Sequence, residues 1–173
     1  MKDTKSACTG FPPSIDDKCT ILILGSMPGV TSLERQQYYA HPQNRFWPLM
    51  AQLLENSPAA PAAYEDRLQM LLHHHIALWD SIDTCERSGS LDTAIRNIAA
   101  NDFSAFLEKY PSIHTICFNG AKSFQTFKRY NKELLKNPAI RFLPMPSTSP
   151  ANARWHMDML KNTWKKAFQN SIT

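Results

Sequence analysis

Apolar residues along this chain follow two rhythms. Short unbroken runs at 20–24, 74–79, 113–118 and 140–143 have the length of buried strands. Between them, apolar side chains recur every three or four positions, as on a helix with one buried stripe. The first such stripe holds Phe46, Leu49, Met50, Leu53 and Leu54, and prolines within 56–61 end it. Further helices are predicted at 62–73, 91–98, 102–110, 121–130 and 156–169. Asp102 stands where an N-cap belongs, and the last helix turns Met157, Leu160, Trp164 and Phe168 inward. Strands that alternate with helices predict one α/β domain over 20–173, preceded by an arm at 1–19. Its expected architecture is a three-layer α/β/α sandwich around a mainly parallel four-stranded sheet.

That architecture concentrates chemistry. Loops leaving the carboxyl ends of parallel strands gather along one edge, where open α/β sheets bind ligands. Here they begin at Gly25, Asp80, Asn119 and Pro144. The first loop turns at Pro28-Gly29 and runs through Tyr38-Tyr39-Ala40-His41-Pro42-Gln43-Asn44, longer and more polar than a connector requires. Backbone groups of Gly25, Ser26, Met27 and Gly29 can approach a ligand closely there. The segment 83–90 reads as a loop whose Arg87-Ser88-Gly89-Ser90 suits a phosphate. Two prolines stiffen the hydroxyl-rich Pro146-Ser147-Thr148-Ser149-Pro150-Ala151-Asn152, where Ser147, with Ser149 and Asn152 behind it, suits phosphate or sugar contact. An ordinary stiff turn is the plain alternative.

Composition narrows the setting. The 173 residues are 43% hydrophobic and 20% charged, which excludes a disordered chain. A net charge of +4 permits a polyanionic partner without requiring one. No apolar run is long enough for a membrane span, and residues 1–8 lack the apolar core of a secretory signal. A cytoplasmic monomer is expected. Cys8, Cys19, Cys85 and Cys117 are scattered, and adjacent His73, His74 and His75 would point to opposite faces of a strand. Neither a metal nor a cofactor is expected.

The motifs carry a resemblance. Gly25-Ser26-Met27-Pro28-Gly29, the run Gln37 to Trp47, and Pro146 to Asn152 resemble the uracil-DNA glycosylase superfamily, and within it the hypoxanthine-DNA (deoxyinosine) glycosylase branch. The resemblance implies a monofunctional enzyme that grips DNA containing a deaminated base, rotates one nucleotide out and hydrolyses its glycosidic bond. Met27 stands where mismatch-specific uracil glycosylases carry a catalytic Asn, and Met145 where uracil-specific ones carry His before Pro-Ser. The hypoxanthine branch moves the catalytic function to the Asn after His-Pro-x, here Asn44. An amide can hold water by its oxygen and donate through its nitrogen, as attack on an oxocarbenium-like state needs. The competing reading is that Asn44 caps the next helix. Tyr39 matches an aromatic beneath the flipped base, though Tyr38 or Phe46 could supply that face. His41 could brace the loop, touch DNA phosphate or help protonate a leaving purine. Excision of uracil, xanthine or a mismatched pyrimidine on the same fold, a non-catalytic nucleic-acid binder, and a nucleotide-binding domain of flavodoxin type remain open at this level.

Overall fold

The computed structural model describes residues 6–169. In chain order its strands are β1 (Ser6–Thr9), β2 (Ile21–Gly25), β3 (Ile76–Asp80), β4 (Ile82–Arg87), β5 (Arg96–Ala100), β6 (Thr115–Asn119) and β7 (Arg141–Met145). Its helices are α1 (Val30–Arg35), α2 (Phe46–Glu55), α3 (Tyr64–His73), α4 (Phe103–Lys109), α5 (Ala121–Tyr130) and α6 (Met157–Gln169). Short 3-10 turns lie at Asp92–Ala94 and Lys132–Lys136.

The central sheet has the order β3-β2-β6-β7, and every neighbouring pair is parallel. Alternation along the strands splits the core in two. Ile21, Ile23, Ile76, Leu78 and Cys117 face one side, where α2 and α6 supply Leu49, Met50, Leu160 and Trp164. Leu22, Leu24, Ala77, Ile116 and Phe118 face the other, against Phe103, Phe106 and Phe127 of α4 and α5. This is the expected three-layer sandwich. Asp102 caps α4, its Oδ1 accepting from the Ala105 N–H at 3.0 Å. Pro144 lies inside β7 rather than breaking it, because an edge strand tolerates a missing donor.

A second sheet departs from the sequence expectation. Strands β1, β4 and β5 form an antiparallel sheet in the order β1-β4-β5. Residues 83–90, expected as a loop, belong largely to β4, and the helix expected at 91–98 is instead a 3-10 turn followed by β5. Ile95 and Ile98 mimic a helical stripe because Asn97, at φ 55°, distorts the strand. The β4–β5 pairing shifts register, and both isoleucines join the cluster of Cys8, Met27, Ile82 and Cys85. Within the expected arm, residues 6–14 are tied into the body: β1 pairs β4, and Ser14 bridges Leu78 on β3. Residues 1–5 of that segment lie outside the described residues. Helix α1 was not expected; six residues are too few to show a periodicity.

Candidate active site

Four chain segments meet beyond the carboxyl ends of the central strands around a cavity of about 950 Å³. Gly25, Ser26 and Gly29 border it after β2, Asp80 at the end of β3, Asn119 at the end of β6, and Ser147 to Asn152 after β7. Parallel register places these ends level, since Gly25 pairs with Asp80 and Asn119 with Met145.

Asn44 sits on the cavity wall, half-buried. Its Oδ1 accepts from the Phe46 N–H at 3.0 Å and from the Thr148 hydroxyl at 2.9 Å. Thr148 is itself clasped by Asn119, whose Nδ2 donates to Thr148 Oγ1 at 3.0 Å and whose Oδ1 accepts the Thr148 N–H at 3.0 Å. Because Phe46 N–H requires an acceptor, the orientation of the Asn44 amide is fixed, with its nitrogen left to donate. The oxygen, expected to hold a water, already has two donors. The cap-like bond and a place on the cavity wall therefore coexist. Pro48, in the first turn of α2, displaces no hydrogen bond there, because the first four helical N–H groups have no intrahelical acceptor.

Arg45 joins the two motifs, a role the sequence reading missed. Its guanidinium donates to the carbonyls of Ser149 at 2.8 Å and Asn152 at 3.2 Å, and also to that of Trp155, while its N–H donates to Thr148 O at 3.1 Å. One cation thus gathers the loop after β7 against the start of α2. Gly120, at φ 99°, seats the same loop, since a Cβ there would stand 3.2 Å from that of Ser147.

The aromatic residues separate cleanly. Tyr39, in the left-handed region at φ 55°, borders the cavity and stacks on Phe46 at 4.0 Å between ring centroids. Phe46 is fully buried behind Tyr39 and does not border the cavity, contrary to its expected place at the base. Tyr38 also touches the cavity, but it is buried and tied to the core: its hydroxyl donates to Pro12 O at 2.9 Å and its carbonyl accepts from Trp47 Nε1 at 2.8 Å. His41 is exposed at the rim, where its Nδ1 accepts the Gln43 N–H at 3.1 Å.

Arg87 departs most from expectation. Proposed from sequence to touch DNA, it is only 2% exposed and donates to the carbonyl of Pro28. It braces the turn after β2 from beneath. Asp92 also holds that turn, accepting from Ser26 Oγ at 2.7 Å, while Ser90 Oγ accepts the Val30 N–H at 2.8 Å. Met27 borders the cavity but packs within the cluster of Cys8, Ile82 and Cys85. Ser147, Ser149 and Asn152 all border the cavity. Ser147 Oγ accepts the Ser149 N–H, Ser149 Oγ accepts the Ala151 N–H, and Asn152 Nδ2 donates to Ser147 O, so each hydroxyl keeps its proton to donate.

Asp80 and Tyr39 form the inner wall. Burial lifts the Asp80 carboxyl to about 7; neighbouring Arg87 opposes the rise and Asp92 adds to it. The Tyr39 phenol is raised by burial and by Asp80, with Asn119 opposing. Among the described residues, no cluster of His, Cys, Asp and Glu could hold a metal ion, and no helix is long and apolar enough to cross a membrane.

A family model described as the uracil DNA glycosylase superfamily matches residues 12–171. The chain is 36% identical over 161 residues to a hypoxanthine DNA glycosylase of Methanosarcina acetivorans, covering 93% of this chain and 98% of that one. A hypoxanthine DNA glycosylase of Methanosarcina barkeri is 35% identical over 160 residues, covering 92% and 97%. A solution NMR structure of a candidate uracil DNA glycosylase from Methanosarcina acetivorans superimposes with a TM-score of 0.80 at 35% identity, over 97% of this chain and 100% of that one. With both motifs in order around one cavity, this chain belongs to the uracil DNA glycosylase superfamily.

Proposed function

We propose that this protein is a monofunctional DNA glycosylase that removes hypoxanthine from deoxyinosine in DNA and leaves an abasic site. The observation that carries the reading is the Asn44 amide, locked at the cavity wall with its nitrogen free to donate. The two thioethers add to it, because Met27 and Met145 leave the usual uracil chemistry without its side chains. The two relatives of high coverage carry the name of that activity.

The extruded nucleotide enters the cavity with its base against Tyr39, whose ring Phe46 backs. A π-face there replaces the stacking lost on extrusion. Hydroxyls of Ser147 and Ser149 and the loop held by Asn152 and Arg45 flank the phosphates, and His41 meets the backbone at the rim. Asn44 Nδ2 donates to the attacking water's oxygen and aims it at C1′. A state with oxocarbenium character is electrophilic enough that orientation counts for more than activation by a strong base. Neither motif contains a lysine, so no Schiff base forms and the strand stays intact until alkali is added.

Oligonucleotide duplexes, each holding one deoxyinosine, deoxyuridine, deoxyxanthosine or mismatched thymidine, test the reading by alkali cleavage after incubation. Cutting is expected at deoxyinosine, and equal cutting at deoxyuridine would overturn the proposed preference. Asn44→Ala should lower the single-turnover rate about 10²- to 10³-fold, as loss of one preorganised donor does. Duplex affinity should hold. A variant that still turns over at the wild-type rate would remove Asn44 from the mechanism.

A further inference from the structure

Two buried polar atoms at the inner wall have no hydrogen-bond partner: Asp80 Oδ2 and the Tyr39 hydroxyl. Such atoms are rare and costly, and each calls for a ligand or a chemical role. Both residues border the cavity, and Asp80 is only 4% exposed. Both lie over the same side of Gly25. A Cβ on that glycine would lie 2.5 Å from Asp80 Oδ1 and 3.2 Å from the Tyr39 hydroxyl. Glycine thus leaves room at the inner wall for the Asp80 carboxyl and the Tyr39 phenol, whose Oδ2 and hydroxyl oxygen have no partner in good hydrogen-bond geometry.

We propose that Asp80 is the proton donor to the departing base, with the Tyr39 hydroxyl beside it holding the purine edge. This rests on the glycosylase reading given above. As the C1′–N9 bond breaks, its electron pair passes into the purine ring. The carboxyl proton of Asp80 moves to a ring nitrogen of the leaving base. Water adds its oxygen to C1′, and the proton it loses restores the carboxyl, so the sum is hydrolysis.

The alternatives on the cavity wall fit less well. His41 is exposed at the rim, where solvent competes for its proton. Asp92 is exposed and accepts from Ser26. Met145 supplies no proton where a histidine could have stood. Charged and titratable groups facing Asp80 are Arg87 from β4, Asp92 from the 3-10 turn, Tyr38 and Tyr39 from the loop after β2, and Tyr64 from α3. Arg87 favours the carboxylate, Asp92 disfavours it, and burial outweighs both. An acid poised near neutrality is matched to proton transfer under working conditions.

The test is a single-turnover pH profile, with enzyme in excess over a duplex containing one deoxyinosine, between about pH 5.5 and 9. For the wild type, the rate should fall roughly tenfold per pH unit above about 7, as the protonated fraction of Asp80 declines. Asp80→Asn should be slower by about 10²- to 10⁴-fold and should lose that alkaline limb. Its affinity for a duplex carrying a stable abasic analogue should remain near that of the wild type, which also shows that it folds. An Asp80→Asn protein with the wild-type rate and limb would overturn the inference. So would a wild-type profile that stays flat to pH 9, a result that needs no variant. A wild type that releases no hypoxanthine at any pH would overturn the glycosylase reading itself, and this inference with it.

Discussion

Two polar clusters share one cavity and differ in how fully they are satisfied. Asn119, Thr148 and Asn44 form a closed chain of hydrogen bonds that ends on the Phe46 N–H. Asp80 and Tyr39, both over Gly25, leave Oδ2 and the phenol oxygen without partners in good hydrogen-bond geometry. A closed network fixes an orientation, which is what delivery of a water needs. An open pair stores unmet bonding capacity, which suits groups whose partner arrives with the substrate. Under the proposed mechanism, the contrast separates a part of the site that holds still from a part that reacts.

Changing the open side should have the largest effect on stability, through pH. The folded Asp80 carboxyl holds its proton up to about 7, whereas an unfolded aspartate releases it near 4. Stability from this group is therefore complete below about pH 4 and declines by about 1.4 kcal/mol per pH unit until about pH 7. Asp80→Asn should abolish that decline, so melting temperatures of wild type and variant should diverge as pH rises from about 4 to 7. Parallel curves would show that Asp80 ionises freely in the fold.

Breaking the closed side comes next. Thr148→Val removes the hydroxyl between Asn119 and Asn44 while keeping the volume. We expect about 1–3 kcal/mol of destabilisation in urea unfolding from the polar groups left unmet. The single-turnover rate should fall about 100-fold as the Asn44 amide loses its alignment, whereas Thr148→Ser should restore most of it. Equal rates in Thr148→Val and wild type would show that the chain of bonds does not position Asn44.

The smallest effect belongs to the phenol. Tyr39→Phe deletes a hydroxyl whose neighbour Asn119 is already engaged by Thr148, so stability should change by less than about 0.5 kcal/mol. The matching change at Tyr38 removes a bond to Pro12 O and should cost about 1 kcal/mol. Denaturation midpoints of the two variants compare the cases directly. A large loss from Tyr39→Phe would mean that its hydroxyl is structurally paired.

Much of the site was legible along the chain because its segments are strand ends. Asn44, Tyr39, Ser147, Ser149 and Asn152 were singled out from local residue chemistry and the motif resemblance, and all five border the cavity. Arg87 was misjudged because a basic residue beside Ser-Gly-Ser reads as a phosphate contact, while burial beneath Pro28 comes from the fold of β4. Phe46 was offered as a possible base contact, but a one-residue difference in facing is invisible without the helix start. Arg45 went unnoticed since its partners lie more than 100 positions away, and Thr148 since its partners Asn119 and Asn44 lie 29 and 104 positions away.

The parallel sheet, its helices and the gathering of strand-end loops are readable along the chain, because hydrophobic period and strand length are local properties. The antiparallel sheet of β1, β4 and β5, the clasp around Asn44 and the unpaired Asp80 beside Gly25 were decided only in three dimensions. A hydrogen bond between distant segments leaves no periodic trace, and a carboxyl's proton affinity depends on what excludes water from it.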